Sequence, residues 1–391
     1  MIRKKKLRVL LTGGGTGGHI YPLIAVSAEL QRLCGEQGML LDLRYLGACG
    51  NYRELLELNN ILVRRVAQSK LRRYFSLSNF IDGPKFVYSL WQALFKVFWF
   101  MPDILFSKGG PGALAVVLAA RFYRIQVIIH ESDTVPGLTN LLSGRFSKII
   151  LTSFPQTAGY FPNKETIMVG NPIRRYLLNG IENESKEKNK RIFGFSSDLP
   201  LILVIGGSQG ASKINEFILD NLPALLDITQ ILHQTGASNY EEVIKEAAFI
   251  AEKLPEDLVK RYKAASYFGD EIRSAYIAAD LVVTRASAGA IFEVAAFGKP
   301  SILIPLPPEI AASDHQTKNA YDYASNGSAL VIEQTNLLPN LFVSQAQKIL
   351  QNPELASSMS QAARNFSKLD AASKIAQIIV ELCGGNRQNK S

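Results

Sequence analysis

The sequence predicts an α/β protein with two doubly wound, Rossmann-like parallel-sheet domains. Short apolar runs alternate along the chain with segments of helical periodicity, which is typical of strand–helix–strand units. The chain has 391 residues, enough for two domains that each bury a core. Each half also begins with a strand that enters a glycine-rich turn, at 7–18 and at 201–211. These three observations agree on one architecture repeated twice.

The elements of the first half follow from apolar runs and helical repeats. The predicted strands are 7–12, 41–46, 103–107, 126–130, 148–152 and 166–169. The predicted helices are 22–33, 52–58, 86–98 and 112–122. The loops after the strands at 103–107 and 126–130 are rich in glycine or polar residues, as in Pro102–Gly112 and His130–Asp133.

The second half repeats the pattern. Its predicted strands are 201–206, 229–233, 265–268, 280–284, 301–305 and 329–332, and its predicted helices are 212–226, 240–252, 288–297 and 315–325. A charged segment without a clear pattern, 181–199, separates the halves. We therefore expect an N-terminal domain at 1–175, a C-terminal domain at 176–365, and a C-terminal helix at 366–391 that packs back toward the N-terminal domain and ends in a frayed tail. Since ligands bind at the carboxyl ends of parallel strands, we expect both domains to face a central cleft.

Composition excludes several classes of protein. With 47% hydrophobic and 20% charged residues the chain is globular. Cys34, Cys49 and Cys383 have no short paired spacing, which argues against a disulfide framework or a zinc site and fits a reducing compartment. The sequence contains no apolar stretch of 18 residues, so we expect no transmembrane helix. The apolar run after the basic N-terminus is too short for a signal sequence.

Positive charge is concentrated early in the chain. Residues 1–130 contain 18 Lys and Arg against 7 Asp and Glu, and between 64 and 100 the basic residues are interleaved with aromatic ones. We assign to this basic–aromatic patch Arg72, Arg73, Tyr74, Phe75, Trp91 and Trp99. The mixture favours binding to an anionic membrane surface. A core helix with solvated charges remains the main alternative, because Phe86, Leu90, Leu94 and Val97 share helical spacing, and nucleic acid is the least favoured partner.

The most informative motif is Thr12–Pro22, in which five glycines and His19 follow the first strand. Glycine lets backbone N–H groups approach an anion, and the helix N-terminus adds partial positive charge. No Lys-Ser/Thr pair follows, so the motif is not a Walker A loop. The motif predicts a phosphate or pyrophosphate site beside a proton-transfer group. A purely structural turn and NAD binding remain alternatives.

Five further motifs follow in order. Together with the first they are Gly13–His19 with Pro22, His130–Asn140, Gly170–Arg174, Gly206–Ala211, Arg285–Glu293, and Asp314–Gln316 with Asn319–Ala320. From about residue 7 to about residue 380, this set resembles the MurG family of undecaprenyldiphospho-muramoylpentapeptide N-acetylglucosaminyltransferases. The resemblance implies a GT-B fold and a hexosyltransferase of peptidoglycan synthesis, with roles in cell shape and division. The implied reaction is inverting transfer of GlcNAc from UDP-GlcNAc to the C4 hydroxyl of the muramoyl sugar of lipid I, which gives lipid II.

The resemblance also implies candidate catalytic residues. An inverting displacement needs a base for the attacking hydroxyl, and an imidazole suits that role at neutral pH. His19 is the favoured base and His130 a competitor. Glu131 is either the base or a group that orients one of the imidazoles.

The donor-binding candidates lie mostly in the second half. They are Thr16, Gly17, Gly18, Asp133, Asn140, Arg174, Ser208, Gln209, Gly269, Ala288, Gly289, Ala290, Glu293, Gln316 and Asn319. Glu293 is expected to hold the ribose hydroxyls and Gly269 to meet the uracil. The pair Ser208–Gln209 and the 288–290 backbone are expected to contact the diphosphate or the donor sugar. Gln316 and Asn319 are further sugar contacts, Arg174 lies at the hinge, and the first five candidates lie on the acceptor side.

We expect no cofactor and no metal, because no Asp-x-Asp pair lies at a strand end of the donor half; backbone N–H groups would hold the diphosphate. The expected partners are UDP-GlcNAc, lipid I, an anionic membrane surface at the cytoplasmic face, and cell-wall synthesis proteins, with no nucleic acid. The chain departs from the family pattern at three places. Ser132-Asp133 replace Gln-Asn, Pro111 replaces an aromatic residue, and Ala290 replaces Thr or Ser.

Other classes of function remain open. Another GT-B enzyme with a lipid acceptor should lack the whole set from His130 to Asn140. A hexosamine nucleotide epimerase would not need the basic–aromatic patch. A non-catalytic nucleotide-binding regulator has no use for His19.

Overall fold

The protein is described by a computed structural model that covers residues 6–67, 79–206, 211–311 and 314–388. Its contacts divide the chain into two compact units. Unit 1 consists of Met1–Arg174 with Lys368–Ser391, and unit 2 consists of Arg175–Ser367. The domain limits expected from the sequence lie within two residues of this division.

Unit 1 contains a seven-stranded parallel sheet in the order β3-β2-β1-β4-β5-β6-β7. The strands are β1 (Lys6–Thr12), β2 (Leu40–Gly47), β3 (Leu62–Arg65), β4 (Ile104–Ser107), β5 (Gln126–Glu131), β6 (Ile149–Thr152) and β7 (Glu165–Met168). The α-helices that connect them are α1 (Gly17–Glu36), α2 (Arg53–Leu58), α3 (Asn79–Phe100), α4 (Ala113–Phe122) and α5 (Leu138–Gly144). A 3₁₀ turn at Pro155–Tyr160 follows β6.

Both faces of this sheet are buried. On β1, Val9 and Leu11 belong to a core that includes α1, whereas Leu10 belongs to a second core that includes α3 and α4. Alternate side chains of a strand point to opposite faces, so an unbroken apolar run such as Val9–Leu11 requires helices on both sides.

Unit 2 contains a six-stranded parallel sheet in the order β10-β9-β8-β11-β12-β13. The strands are β8 (Leu201–Ile205), β9 (Gln230–Gln234), β10 (Tyr262–Ala265), β11 (Leu281–Thr284), β12 (Ser301–Leu303) and β13 (Ala329–Val331). The α-helices are α6 (Arg175–Leu178), α7 (Lys186–Ile192), α8 (Ser212–Asp220), α9 (Leu222–Leu226), α10 (Tyr240–Ala251), α11 (Glu256–Val259), α12 (Ile272–Ala278), α13 (Ala288–Ala296), α14 (Pro308–Ala311), α15 (His315–Ala324), α16 (Pro339–Gln351) and α17 (Pro353–Phe366). Short 3₁₀ turns lie at Ile181–Asn183 and Gln334–Asn336.

The last helix, α18 (Ala371–Gln388), belongs to unit 1. Its Ile375 and Ile379 are fully buried in the core that contains Leu23 and Leu30 of α1. The chain therefore returns to the N-terminal unit after completing unit 2.

In each sheet the strand order reverses beside the first strand of the unit. The loops that leave β1 and β4, and those that leave β8 and β11, therefore diverge to opposite faces and open a crevice at the carboxyl ends of the strands. These crevices are the places where a doubly wound sheet binds ligands. The predicted fold class, two such α/β domains, is confirmed.

Several predicted elements were wrong in detail. The edge strand β3 was missed, and the strand predicted at 265–268 lies at Tyr262–Ala265. The segment 181–199, predicted to have no pattern, contains α7, whose first turn is capped by Ser185 Oγ accepting from Lys188 N at 3.2 Å. The helix predicted at 212–226 divides into α8 and α9 at Asn221, with a proline in the first turn of α9.

Candidate acceptor-side and donor-side sites

The His19 imidazole lies in the first turn of α1, directly after the glycine turn that follows β1. Its Nδ1 is 2.8 Å from the hydroxyl oxygen of Thr16, the N-cap residue of α1. Two glycines make room for the ring. A Cβ at Gly14 would lie 2.9 Å from Nδ1, and a Cβ at Gly110, where φ is +87°, would lie 3.0 Å from Cε1. A larger residue at either position would displace the imidazole.

The environment of His19 favours its neutral form. Burial of the ring, and next the positive charge of Lys108, lower the pKa of His19 to about 4, although the charge of Asp133 acts in the opposite direction. At neutral pH the imidazole therefore has a lone pair that can accept a proton.

A buried lysine lies beside this turn, at the end of β4. Lys108 is only 2% exposed, and its ammonium contacts His130 Nδ1 at 2.6 Å, Asn171 Oδ1 at 3.2 Å and the hydroxyl of Ser132. An ammonium group has three N–H donors, so these contacts use all of them. Burial lowers the pKa of Lys108 to about 8, against the opposing charges of Glu131 and Asp133.

His130 is completely buried at the end of β5. Its Nε2 lies 2.9 Å from Gly170 O, and a carbonyl only accepts, so Nε2 carries the proton. Nδ1 then accepts from Lys108. Burial, and next the charge of Lys108, hold the pKa of His130 well below its usual value. Both ring nitrogens of this histidine are thus occupied by the protein.

Glu131 and Asn140 form a second buried pair next to His130. The Glu131 carboxylate accepts from the backbone N–H of Asp133 at 3.0 Å, the backbone N–H of Gly137 at 3.1 Å and Asn140 Nδ2 at 2.9 Å. Burial, and next the charge of Asp133, raise the pKa of Glu131 to about 7. These contacts fold the loop after β5 around the carboxylate.

The remaining acceptor-side candidates surround α1. Gly17 and Gly18 form the first turn of α1, and a Cβ on Gly18 would meet no atom within 4 Å. Asp133 is half-buried in the loop after β5. The Arg174 guanidinium lies 4.2 Å from the centre of the Tyr21 ring, a cation–π contact at the last residue of the unit's first segment.

On the donor side, the loop after β11 leads into α13. Ser287 caps this helix by accepting from Ala290 N at 3.4 Å. Gly289 has open space around its Cα, since a Cβ there would meet no atom within 4 Å. The candidates Ala288, Gly289 and Ala290 therefore form a helix N-terminus that is accessible to an anion. The candidates Ser208 and Gln209 lie outside the described residues.

Glu293 is half-buried one turn further along α13, where its Oε2 accepts from the hydroxyl of Tyr276 at 3.2 Å. Gly269 follows Phe268, whose backbone N–H donates to Gln234 Oε1 at 3.0 Å. A Cβ on Gly269 would also meet no atom within 4 Å, so there is open space beside the backbone at this position.

The two candidates on α15 differ in exposure. Asn319 is completely buried, and its Nδ2 donates to Ala286 O at 3.3 Å, which links α15 to the loop before α13. Gln316 is half-buried, and its Oε1 accepts from Leu306 N at 3.0 Å. Asn319 therefore holds the loop that precedes the N-terminus of α13.

The described part of the basic–aromatic patch lies on α3. Trp91 and Trp99 are each 71% exposed, and Phe95 between them is 61% exposed. The opposite face of α3 packs into unit 1 through Val97, with Phe86, Leu90 and Leu94 partly buried around it. Helix α3 is therefore apolar on both faces. Arg72, Arg73, Tyr74 and Phe75 lie outside the described residues, and no helix within the described ranges has the length and apolarity needed to cross a bilayer.

Sequence reasoning missed four residues that support these sites, which are Lys108, Ser132, Asn171 and Tyr276. A detectable signal existed for Lys108, because a charged residue directly follows the fully buried strand Ile104–Ser107 and precedes two glycines. Tyr276 carries no comparable signal, since its partner Glu293 is 17 residues away on another helix.

Known proteins resemble this chain over nearly its whole length. Residues 9–152 match the N-terminal domain and residues 201–377 the C-terminal domain of glycosyltransferase family 28. A UDP-N-acetylglucosamine–N-acetylmuramyl-(pentapeptide) pyrophosphoryl-undecaprenol N-acetylglucosamine transferase from Lachnoclostridium phytofermentans is 35% identical, over 96% of this chain and 99% of its own. The enzyme of the same name from Clostridium kluyveri is 34% identical, over 88% and 91%.

Solved structures agree. Acinetobacter baumannii MurG aligns with a TM-score of 0.73 at 28% identity, over 96% of this chain and 99% of its own. The UDP-GlcNAc 2-epimerase from Neisseria meningitidis aligns with a TM-score of 0.66 at 16% identity, over 96% and 100%. At that identity the second alignment reflects the shared fold alone.

Proposed function

Because the chain belongs to the MurG enzymes of glycosyltransferase family 28, we propose that its two units perform the two halves of one transfer reaction. The protein is a UDP-GlcNAc-dependent hexosyltransferase that converts lipid I to lipid II. The observation that carries the assignment of roles is the position of His19 and Glu293, each just after a strand at the switch point of its own sheet. His19 would serve the acceptor and Glu293 the donor.

His19 is the proposed base for the attacking hydroxyl. If Nδ1–H donates to the Thr16 hydroxyl, Nε2 carries the lone pair that accepts the proton. Thr16 then fixes the tautomer and the orientation of the ring, as the third member of a triad does. The lowered pKa keeps the imidazole neutral before the reaction begins.

His130 and Glu131 are proposed as positioning residues. Every hydrogen-bonding atom of His130 already has a protein partner, and both Glu131 oxygens accept from the loop that follows them. A proton acceptor needs an open lone pair within reach of the substrate. We therefore assign the proton transfer to His19 rather than to this buried pair.

On the donor side, Glu293 is proposed to accept from the ribose hydroxyls, with the Tyr276 hydroxyl holding the carboxylate in place. The N-terminus of α13, Ala288–Ala290, would bind the diphosphate through backbone N–H groups and the helix dipole. Gly269 would face the uracil, and Gln316 and Asn319 would support the donor-sugar side. Developing charge on the leaving UDP is then stabilised without a metal ion.

The exposed face of α3 is proposed to hold the enzyme at an anionic membrane surface, where its lipid acceptor resides. Five side chains more than half exposed form this apolar face, namely Tyr88, Trp91, Phe95, Phe98 and Trp99. Monomeric proteins rarely expose so contiguous an apolar patch without a partner. Indole rings suit the boundary between headgroups and acyl chains.

Product analysis tests the assignment. The protein, UDP-GlcNAc and a short-chain lipid I analogue are incubated, and the acceptor is examined by mass spectrometry. We expect the acceptor to gain one N-acetylhexosamine residue and an equal amount of UDP to appear. His19→Gln is the matched control, because it should bind UDP but form little product. Conversion of UDP-GlcNAc to a free epimer, with no change in the acceptor, would contradict the proposal.

A further inference from the structure

Lys108 stands where three other loops of unit 1 meet, and the roles assigned above leave it unused. Its ammonium contacts the end of β5 through His130 and Ser132, and the segment after β7 through Asn171. Its backbone N–H donates to Thr12 O at the end of β1. Lys108 thus connects the ends of four strands: its side chain joins the end of β4 to the segments after β5 and β7, and its backbone N–H joins it to β1.

The loop that Lys108 begins also forms the wall of the His19 site. Gly109, Gly110 and Gly112 all have left-handed backbone conformations, with φ between +76° and +87°. A Cβ at Gly110 would collide with Gly14 N and with His19 Cε1, and one at Gly14 would lie 3.1 Å from Pro111 Cδ. The loop that Lys108 anchors is therefore packed closely against the imidazole of His19.

Lys108 is also close to His19 in space. A Cβ added at Gly13 would lie 3.5 Å from the Cβ atoms of both residues, so one glycine separates their backbones. Lys108 is buried and His19 is half-buried, and charges interact more strongly in such surroundings than in water.

We propose that Lys108 is a positioning residue for the proton-accepting His19: it anchors the loop that walls the imidazole and keeps a positive charge beside it, so that the ring stays neutral. The proposal rests on the proposed function of His19. A protonated imidazole beside a buried ammonium is unfavourable, which secures the open lone pair that the reaction requires.

Other charged and titratable groups near His19 also bear on its protonation. The Asp133 carboxylate favours the protonated imidazole of His19, whereas burial, and next the charge of Lys108, keep His130 neutral. Glu131 is hydrogen-bonded inside its loop. The Arg174 guanidinium lies over Tyr21 in the first turns of the same helix. Among the described residues, Lys108 is the cation whose charge lowers the pKa of His19.

Nuclear magnetic resonance of ¹⁵N-histidine-labelled protein tests the proposal without substrate. The chain has four histidines, and the His19 signal is identified by its loss in His19→Gln. In Lys108→Met the titration midpoint of His19 should rise by about one pH unit or more. Lys108→Gln, which keeps two N–H donors, should raise it as well. Lys164→Met removes the same charge directly before the edge strand β7, three strands away from β4, and should leave the midpoint in place.

The wild-type protein provides a measurement that does not depend on a variant that folds. As Lys108 loses its proton near pH 8, the ¹⁵N signals of His130 and His19 should both shift with that common midpoint, although neither ring titrates there. The absence of a step at His19, or an unchanged midpoint in a folded Lys108→Met, would overturn the proposal.

A kinetic measurement separates this proposal from the proposed function. In Lys108→Met the acidic limb of the kcat profile should move to higher pH by the same amount as the His19 midpoint, while the KM for UDP-GlcNAc is unchanged. If the resonance shifts appear but wild-type enzyme forms no lipid II analogue, the proposed function fails and the pairing of Lys108 with His19 stands. If product forms but the limb does not follow the resonance, Lys108 does not act through His19.

Discussion

The charge state of His19 at mildly acidic pH distinguishes the proposed base from an ordinary histidine. A general base works only in its unprotonated form, so activity is lost as the pH falls through the pKa of that group. Burial and Lys108 lower the pKa of His19 to about 4. The acidic limb should therefore lie well below the range in which an unperturbed imidazole titrates.

The size of the effect follows from these values. With a pKa of about 4, His19 is about 90% neutral at pH 5 and almost wholly neutral at pH 7, so kcat at pH 5 should remain about 90% of its value at pH 7. With the ordinary pKa of about 6.5, only about 3% of the imidazole would be neutral at pH 5, and kcat would fall to about 4% of its neutral value. The two cases differ by more than an order of magnitude.

The assay is steady-state turnover of a water-soluble lipid I analogue with saturating UDP-GlcNAc, measured from about pH 3.5 to pH 7 so that it covers the acidic limb as well as pH 5 and pH 7. Binding of UDP at both pH values shows that the donor unit remains folded. His19→Gln should lower kcat by about 10²–10⁴ and abolish the acidic limb, with UDP binding little changed. A wild-type kcat of only a few per cent at pH 5 would refute the reasoning. Persistence of the limb in His19→Gln, with kcat lowered less than about tenfold, would transfer the role to His130 or Glu131.

Three other predictions concern the donor, the membrane and the metal. Glu293→Ala should raise the KM for UDP-GlcNAc by the equivalent of roughly 1.5–3 kcal/mol with a smaller change in kcat, and an unchanged KM would remove the ribose role. Replacing Trp91 and Trp99 together by alanine should weaken sedimentation with anionic liposomes by about tenfold or more and leave turnover of a soluble acceptor intact; equal sedimentation would count against the membrane face. Adding EDTA should leave kcat unchanged, and a loss restored by Mg²⁺ would show that the diphosphate needs a metal ion.

The sequence predicted the buried strands well, but of the four edge strands it missed one, β3, and displaced another, β10. A central strand such as Leu201–Ile205 is buried at every position, so it appears as an unbroken apolar run. Strand β3, Leu62–Arg65, is at the sheet edge and buries only Val63. Strand β10, Tyr262–Ala265, is also an edge strand, with no fully buried residue. Neither of these two edge strands has a long apolar run, because only one neighbouring strand and part of one face cover it.

Helix α3 is a second case in which the sequence did not decide how much of an element is buried. Its helical spacing predicted that Phe86, Leu90, Leu94 and Val97 pack inward, and the structure agrees. The sequence could not decide between a core helix and a surface helix, because α3 has a second apolar face that includes Trp91. Both descriptions hold, one for each face.

The sequence by itself determined the architecture and the loops that carry the chemistry, because strand periodicity, glycine turns and helix starts are local signals. Only the tertiary structure decided what each polar residue in those loops does. The sequence alone does not distinguish the imidazoles of His19 and His130. In the fold, His19 contacts the hydroxyl of Thr16, whereas His130 is enclosed between Lys108 and the backbone carbonyl of Gly170. The residues that bury and hydrogen-bond each side chain lie at strand ends that are far apart in the sequence. These tertiary contacts determine the charge state and the mobility of the side chain.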